Sequence, residues 1–213
     1  RVRTLVELRH TAKDELSGIM ILFFLNSDRR AFVGGADGLE FALPENAKLE
    51  QASISVGSGS SNIQWLKLNP EKKTNGIYTV GQNVKPGDRV MQITFKMPYT
   101  QQKASLQFTP LYPQDTGLQL LVEPEDVLVR QGDKTLTRQH DKNLGRSLIA
   151  FNAAEKKVAF QLSGGGIAPV QATEEVEVVV TSPLSLTQKL LFPVVAVFVF
   201  VCALFVMTKR REN

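Results

Sequence analysis

Apolar and polar residues alternate along most of the first 165 residues, with the period of two that is typical of β-strands. The clearest case is residues 89–97, where one face of an extended chain carries only apolar side chains, namely Met91, Ile93, Phe95 and Met97. The turn-forming sequence Pro86-Gly87-Asp88 precedes this run and Pro98 follows it. The pattern predicts a strand with one buried face.

Similar runs occur throughout this part of the chain, at residues 2–8, 18–25, 39–43, 49–56, 63–68, 76–80, 104–109, 118–122, 127–130, 148–151 and 157–162. Clusters of turn-forming residues separate them, for example at 34–38, 57–61 and 114–117. No stretch before residue 185 has helical periodicity over three turns. We therefore expect a mainly β protein, an antiparallel β-sandwich of the immunoglobulin-like or jelly-roll-like kind.

The sequence also suggests how the chain is divided. Residues 1–165 are predicted to form the β-sandwich domain, which ends at Ser163-Gly164-Gly165-Gly166. Residues 166–185 are predicted to be an extended connector, in which 176–180 form either an edge strand or part of a stalk. Residues 186–208 are predicted to be a transmembrane helix, and residues 209–213 a basic tail.

The transmembrane prediction rests on residues 190–207, which carry no charge. As a helix this stretch would be about 27 Å long, close to the thickness of the hydrocarbon core of a bilayer. The alternative, a buried core helix, fits poorly because the run is apolar on every side. The residues expected to form the anchor are Leu190, Phe192, Pro193, Ala196, Phe198, Phe200, Ala203 and Phe205.

Individual residues of this anchor carry further expectations. Ser185 and Gln188 have the spacing of a capping box, and Pro193 is expected to bend the helix. Ala196 and Ala203 would lie on one helix face and would permit close approach of another helix. The four phenylalanines could contact lipid, a neighbouring helix or a pigment.

Basic residues predict the orientation of the anchor. Lys209, Arg210 and Arg211 follow the apolar run, whereas only Lys189 directly precedes it. The positive-inside rule then places the tail in the cytoplasm and the bulk of the chain outside. The three basic residues could also contact anionic lipid headgroups. We expect a single-pass protein whose partners include membrane lipids.

Cysteine usage bears on the compartment. Cys202 is the only cysteine, so an intrachain disulfide is impossible, and no Asn-X-Ser/Thr glycosylation site occurs. Both features favour a bacterial extracytoplasmic protein, in the inner membrane with most of the chain periplasmic. The sequence starts at Arg1 without methionine, and a precursor whose N-terminal segment has been removed, or is not included in this sequence, fits that start.

Charge argues against one class of partner. The chain has a net charge of +4, but three of its basic residues lie in the tail at 209–213. The remainder is close to neutral and contains no long basic run. A nucleic-acid-binding face is therefore not expected.

Few residues suggest catalysis. The chain has only two histidines, His10 and His140, and His140-Asp141 is better interpreted as a polar loop than as an acid–base or metal site. The glycine-serine segment at 57–61 lacks the lysine of a phosphate-binding loop. The acidic pairs at 14–15 and 123–126 have no calcium-loop pattern. We expect no enzyme, no catalytic residue, no metal and no cofactor.

Three aromatic residues are candidates for contact with a partner. Trp65 could be a core anchor, which is the favoured interpretation, or an exposed interface anchor, and the alternation at residues 63–66 does not decide between the two. Tyr99 and Tyr112 stand beside Pro98, Pro110 and Pro113, in what is either a docking loop or a set of rigid turns.

The order of several short motifs resembles a known family. Phe32-Val33-Gly34-Gly35, the run at 39–44, Lys85-Pro86-Gly87-Asp88 and the run at 92–99 follow one another, and Leu111-Tyr112-Pro113 and the run at 118–122 continue the series. In this order the chain resembles the C-terminal part of bacterial membrane-anchored extracytoplasmic proteins that carry the name carboxypeptidase-regulatory-like-domain-containing. The resemblance covers roughly residues 18–130 and the terminal helix. It implies a β-rich, non-catalytic accessory domain on a membrane tether.

These observations lead to two functional hypotheses. The first is a non-catalytic accessory or scaffold subunit of a larger bacterial membrane complex, for example a respiratory or photosynthetic one. It would provide protein–protein contacts at the outer face of the membrane. The alternative is a free-standing anchored module that binds a carbohydrate, a cell-wall component or a peptide.

Overall fold

A computed structural model describes residues 1–35, 37–56, 64–74, 76–142 and 145–167. They are mainly β, as the alternation predicts, and their strands form three sheets. The strands are β1 (Val2–Ala12), β2 (Glu15–Asn26), β3 (Leu39–Ala42), β4 (Lys48–Val56), β5 (Gln64–Leu68), β6 (Glu71–Lys72), β7 (Ile77–Val80), β8 (Gly87–Pro98), β9 (Lys103–Phe108), β10 (Gln114–Glu123), β11 (Leu128–Gln131), β12 (Lys134–Thr135), β13 (Gln139–Asp141), β14 (Arg146–Ala150) and β15 (Val158–Ser163). One 3-10 turn, Thr100–Gln102, is the only helical element among these residues.

The largest sheet has eight strands in the order β13-β14-β10-β1-β2-β8-β4-β5. Its centre is formed by the long strands β1, β2 and β8, which are antiparallel neighbours. β1 and β2 form a hairpin whose turn includes Asp14, with a positive φ of 61° that asparagine and aspartate tolerate better than most residues. Pairing over about ten residues on each side makes β2 the most extensively bonded strand of the sheet.

One pairing departs from the antiparallel prediction. β1 and β10 run parallel, with Thr4 paired to Leu118 and Arg9 to Glu123. The prediction of a purely antiparallel arrangement was therefore wrong at this position. Parallel neighbours need a long crossover connection, and here more than 100 residues separate the two strands, so local alternation held no information about their direction.

The other two sheets contribute to the same hydrophobic core. The second sheet has the order β12-β11-β15-β9, and the third β3-β7-β6. The ring of Phe95 in the eight-stranded sheet lies edge-on to that of Phe108 in the four-stranded sheet, with 6.5 Å between the ring centroids. Phe160 of β15 stacks on Phe108 at 6.0 Å and on Phe151, which follows β14, at 5.5 Å. The three sheets thus share one core cluster of buried residues.

All the predicted strand runs correspond to strands of the structure, with boundaries shifted by a few residues. Three short strands, β6, β12 and β13, were not predicted because their two or three residues are mostly exposed and do not alternate. The predicted turn at 114–117 was wrong, since these residues begin β10.

The described residues all belong to one compact unit, Arg1–Val170. No helix in this part of the chain is long and apolar enough to cross a membrane. The predicted connector, transmembrane helix and tail lie outside the described residues, apart from the first residues of the connector, and the divisions proposed for residues 165, 185 and 208 stay predictions.

Candidate functional site

Strand β2 is apolar on both of its faces, although it lies in the middle of a sheet with only one face on the core. Leu16, Met20, Leu22 and Phe24 point inward and are at most 5% exposed. The alternate residues Ile19, Ile21 and Phe23 are half-buried and do not belong to the core cluster or pack against it. We call the side of the eight-stranded sheet on which these residues lie the outer face.

Neighbouring strands extend the apolar character of this face. Leu5 pairs with Ile21, and Val90 pairs with Phe23. Leu121 of β10 and Leu148 of β14 lie on the same face, but each is only 4% exposed and is therefore already covered within the chain. The outer apolar patch therefore consists of the half-buried residues Leu5, Ile19, Ile21, Phe23 and Val90.

Paired charges border the patch at the end of the sheet where the β1–β2 hairpin lies. Arg9 forms ion pairs with Glu7 and, at 3.1 Å, with Glu123. Arg146 lies 3.3 Å from Glu7 and 3.6 Å from Glu123, so two arginines alternate with two glutamates. This group of four side chains has no net charge.

A further cation lies on this border. Lys96 is 3.3 Å from the carboxylates of both Glu15 and Glu50. Hydrogen bonds to Glu15 and then Glu50 raise the pKa of Lys96 above its ordinary value. Lys96 therefore remains charged at any physiological pH.

The opposite border of the patch is also charged. Asp115 accepts hydrogen bonds from Arg3 and Arg1, at 3.0 and 3.2 Å. The hydrogen bond from Arg3 is the largest of the effects that lower the pKa of Asp115. An apolar centre with a polar, charge-paired rim is the common anatomy of a protein–protein interface.

Trp65 lies in β5, at one edge of the eight-stranded sheet, and its side chain is 49% exposed. The favoured interpretation of Trp65 as a core anchor was wrong. Trp65 pairs with Ser55, whose hydroxyl accepts a hydrogen bond from the backbone of Val90. Because Val90 belongs to the outer apolar patch and paired residues share a face, the Trp65 ring lies on the outer face near the patch, as an interface anchor would.

Tyr99 is fully buried, so it does not form an exposed docking loop. Its hydroxyl donates to the carbonyl of Gly164 at 2.7 Å, and its ring makes an edge contact with His10. Burial, with a smaller effect from Asp126, raises the pKa of Tyr99 to about 12. Tyr99 holds the end of β15 against the domain.

Tyr112 is also buried, at 8% exposure, and the partner contact predicted for it was wrong as well. Its hydroxyl accepts a hydrogen bond of 2.6 Å from the backbone N–H of Glu40, and its ring packs edge-on against Phe24 and Phe32. Burial raises the pKa of Tyr112 above its ordinary value. Tyr112 thus joins the three-stranded sheet to the core.

The two histidines lie on different strands of the eight-stranded sheet, His10 on β1 and His140 on β13, with β14 and β10 between them. His10 is 2% exposed, and its Nδ1 donates to the carbonyl of Gly166 at 2.8 Å, while Nε2 has no hydrogen-bond partner among the described residues. His140 is exposed on the edge strand β13. No group of three or more possible metal ligands occurs in the described ranges.

A cleft of about 640 Å³ opens between the three-stranded sheet and the strands β9 and β15. Its polar lining includes Lys72, Lys157 and Gln107, and Leu43 and Tyr78 form apolar parts of the wall. The Tyr78 ring is 7% exposed and stacks on Phe41 at 5.3 Å, so it offers no open platform for a ligand.

Several predicted site residues lie outside the described residues. These are the glycine-serine segment at 57–61, all eight anchor residues and the basic residues Lys209, Arg210 and Arg211. The outer apolar patch was not predicted as a site. Its signal was nevertheless in the sequence, because residues 18–25 read as an almost continuous apolar run of the kind found in strands covered on both faces.

Comparison with known proteins gives no family. No protein-family model and no curated protein matches the chain. Among solved structures, the M1 zinc metallopeptidase from Deinococcus radiodurans matches with 10% identity and a TM-score of 0.37, over 76% of this chain and 41% of the peptidase. A point mutant of that enzyme matches with 9% identity and a TM-score of 0.34, with the same coverage.

The chain therefore spans less than half the length of the peptidase structures that it matches. Similarity at this level supports neither a common fold nor a common activity. The family resemblance of the motifs between residues 32 and 122 stays a prediction.

Proposed function

We propose that this protein is a non-catalytic accessory subunit that binds another protein through the outer apolar patch, at the outer face of a bacterial inner membrane. The observation that carries the proposal is the outer side of β2. Ile19, Ile21 and Phe23 occupy the central strand of the largest sheet but make no contact with the core cluster. Apolar side chains in such a position are stabilised when another surface covers them, by about 25 cal/mol for each Å² removed from water.

The rim explains why the partner would be a protein. Around the patch, the charged side chains of Arg9, Arg146 and Lys96 are already paired with glutamates of this chain. A surface of this kind excludes water at its apolar centre and leaves polar groups at its border, as protein interfaces do. It has no excess positive charge that would attract a nucleic acid.

The proposal includes the architecture and the membrane attachment. In it, the eight-stranded and four-stranded sheets form the two layers of a β-sandwich around their common core, and residues 190–207 span the membrane as one helix. Lys209, Arg210 and Arg211 would stay in the cytoplasm, in contact with lipid headgroups. The family implied by the resemblance, of carboxypeptidase-regulatory-like-domain-containing proteins, agrees with an accessory role.

The roles of the polar residues support a non-catalytic assignment. His10 and Tyr99 hold the glycines at 164 and 166 in place through backbone carbonyls. The carboxylates of Glu7, Glu123 and Asp115 are ion-paired to arginines. Each of these groups has a structural partner, and none faces the large cleft.

The alternative, a module for a carbohydrate, cell-wall component or peptide, is favoured by one observation, the cleft of about 640 Å³. Clefts of this size accommodate small ligands. Its lining offers Lys72, Lys157 and Gln107 for polar recognition. We favour the protein-binding function because no exposed aromatic ring lines the cleft. The apolar side chains that point away from the core lie instead on the outer face of the eight-stranded sheet.

Extraction of the full-length protein in mild detergent, followed by native mass measurement, tests the proposal. We expect the wild type to retain a protein partner in a fixed ratio. Ile21→Glu should release this partner, whereas Gln161→Glu, an exposed residue on the outer side of the four-stranded sheet, should keep it. A wild-type protein that is recovered without a partner protein but with a bound glycan would refute the proposal and support the alternative.

A further inference from the structure

Strand β5 leaves one edge of the eight-stranded sheet open. It pairs with β4 on one side, and no described strand pairs with it on the other. Trp65 is 49% exposed and Leu66 is 42% exposed, on opposite faces of the same strand. An edge that combines free backbone groups with large apolar side chains is a template for another strand.

The opposite edge of the sheet differs in this respect. It is formed by β13, which has only three residues, of which two are His140 and Asp141. Short strands and charged side chains are the usual protection of a sheet edge. β5 has five residues, Gln64-Trp65-Leu66-Lys67-Leu68, with a single charge and no proline or bulge.

We propose that β5 pairs with β5 of a second copy of this chain, antiparallel and about a two-fold axis at Leu66. Residues that face each other in such a pair must lie on the same side of the sheet. With Leu66 opposite Leu66, Trp65 of each copy lies opposite Lys67 of the other. Both residues are on the outer face, because they pair with Ser55 and Ser53 of β4.

This register makes the strand complementary to itself. On one side, two leucine side chains meet at the axis and form an apolar cross-strand pair. On the other side, the ammonium group of each Lys67 lies beside the indole ring of Trp65 of the other copy, which is a favourable cation–π arrangement. In this chain Lys67 has no ion-pair partner and Trp65 no ring contact among the described residues, so both are available.

Other registers of the same geometry are less favourable. Moving the second copy by two residues in one direction puts Lys67 opposite Lys67, and like charges directly opposite each other destabilise a strand pair. Moving it in the other direction places Trp65 opposite Trp65 and puts Lys67 opposite a position before the start of β5. Only the register centred on Leu66 pairs all five residues.

The dimer would join two eight-stranded sheets edge to edge. Because the two-fold axis is perpendicular to the sheet, both outer apolar patches would lie on the same side. The inference goes beyond the proposed function, since self-association needs no second protein. Five residue pairs make a small interface, so we expect a reversible dimer that dissociates on dilution.

Sedimentation of the full-length protein in detergent tests the charge pattern. We expect a concentration-dependent dimer for the wild type. Trp65→Lys puts lysine opposite lysine and should give a monomer, while Trp65→Glu puts glutamate opposite lysine and should retain the dimer. Trp65 is the only tryptophan, so its fluorescence emission should shift to longer wavelength as the wild type is diluted. A wild type that stays monomeric over the same range overturns the inference.

Cysteine crosslinking tests the register independently. In a chain with Cys202→Ser, Leu66→Cys should form a disulfide-linked dimer under mild oxidation, because the two copies of this position would face each other across the axis. Lys67→Cys, which would face Trp65, should crosslink at least tenfold more slowly. Equal crosslinking at the two positions, or none at either, would contradict the pairing that we infer.

Discussion

The phenyl ring of Phe95 lies on the backbone of Gly18, its paired residue on the neighbouring strand. A Cβ at residue 18 would overlap the ring atoms of Phe95, so no other residue fits there without displacing the ring. Phe95 is fully buried and in turn contacts Phe108 of the four-stranded sheet. The absence of a side chain at Gly18 thus lets the largest sheet pack closely on its neighbour.

Gly18→Ala is therefore expected to lower the free energy of unfolding by about 1–3 kcal/mol, the range for overpacking a core. Gly81→Ala is the matched control, because residue 81 has open space around its Cβ position and no positive φ. Urea unfolding of both variants, followed by far-UV circular dichroism, measures the difference. Equal stability of the two variants would contradict the packing described for Phe95.

Tyr99 should make the stability of the domain depend on alkaline pH. Below about pH 10 the tyrosine is neutral in both folded and unfolded states, and its contribution is complete. Because the pKa in the folded state is about 12, the unfolded state loses its proton first as the pH rises from 10 to 12. Stability should fall over this window.

Tyr99→Phe should reduce that pH dependence and leave only the part that comes from the raised pKa of Tyr112. At pH 8 it should also lower the free energy of unfolding by about 1 kcal/mol, because the hydrogen bond to the Gly164 carbonyl is lost. Urea unfolding at pH 8 and pH 11 gives both quantities. An alkaline loss of stability of the same size in the variant and in the wild type would count against a buried, neutral Tyr99.

Adjacent residues of β2 should respond differently to substitution. Leu22 is 5% exposed in the core, and Leu22→Ala should lower the free energy of unfolding by about 2–5 kcal/mol. Ile21→Ala, on the outer face, should lower it by less than about 1.5 kcal/mol when the protein is free of any partner. Thermal unfolding of purified protein distinguishes the two. Similar losses would mean that the outer face is covered within the chain itself.

Most of the fold followed from the sequence because strand alternation is local. Whether residues 89–97 form a strand depends only on their own pattern and the turns beside them, and this prediction is confirmed. The parallel pairing of Thr4 with Leu118 depends instead on a crossover through most of the domain. Nothing in the residues near either strand indicates its direction.

The candidate site was harder to predict for a related reason. Alternation assigns residues to a face but does not tell which face the rest of the protein covers. Trp65 was assigned to the core because large apolar residues are usually buried, whereas β5 is an edge strand. Tyr99 and Tyr112 were considered as part of a docking loop because prolines flank them. In the structure both side chains are buried: the Tyr99 hydroxyl donates to a backbone carbonyl, and the Tyr112 hydroxyl accepts from a backbone N–H.

The predicted orientation in the membrane can be tested separately from the fold. If residues 190–207 span the membrane and Lys209, Arg210 and Arg211 are cytoplasmic, protease added to intact spheroplasts should degrade the β-domain. A C-terminal tag should be spared until the membrane is permeabilised. Protection of the β-domain in intact spheroplasts would show the opposite orientation or an internal location.

Site-specific photocrosslinking in the native membrane tests most directly whether the outer apolar patch binds a protein. A photoreactive amino acid at Ile21 should give a single crosslinked species with a protein partner, and the same amino acid at Gln161 should give none. If the photoreactive amino acid at Ile21 gave no crosslink to a protein, or gave the same products as at Gln161, the proposed protein-binding role of the patch would be contradicted.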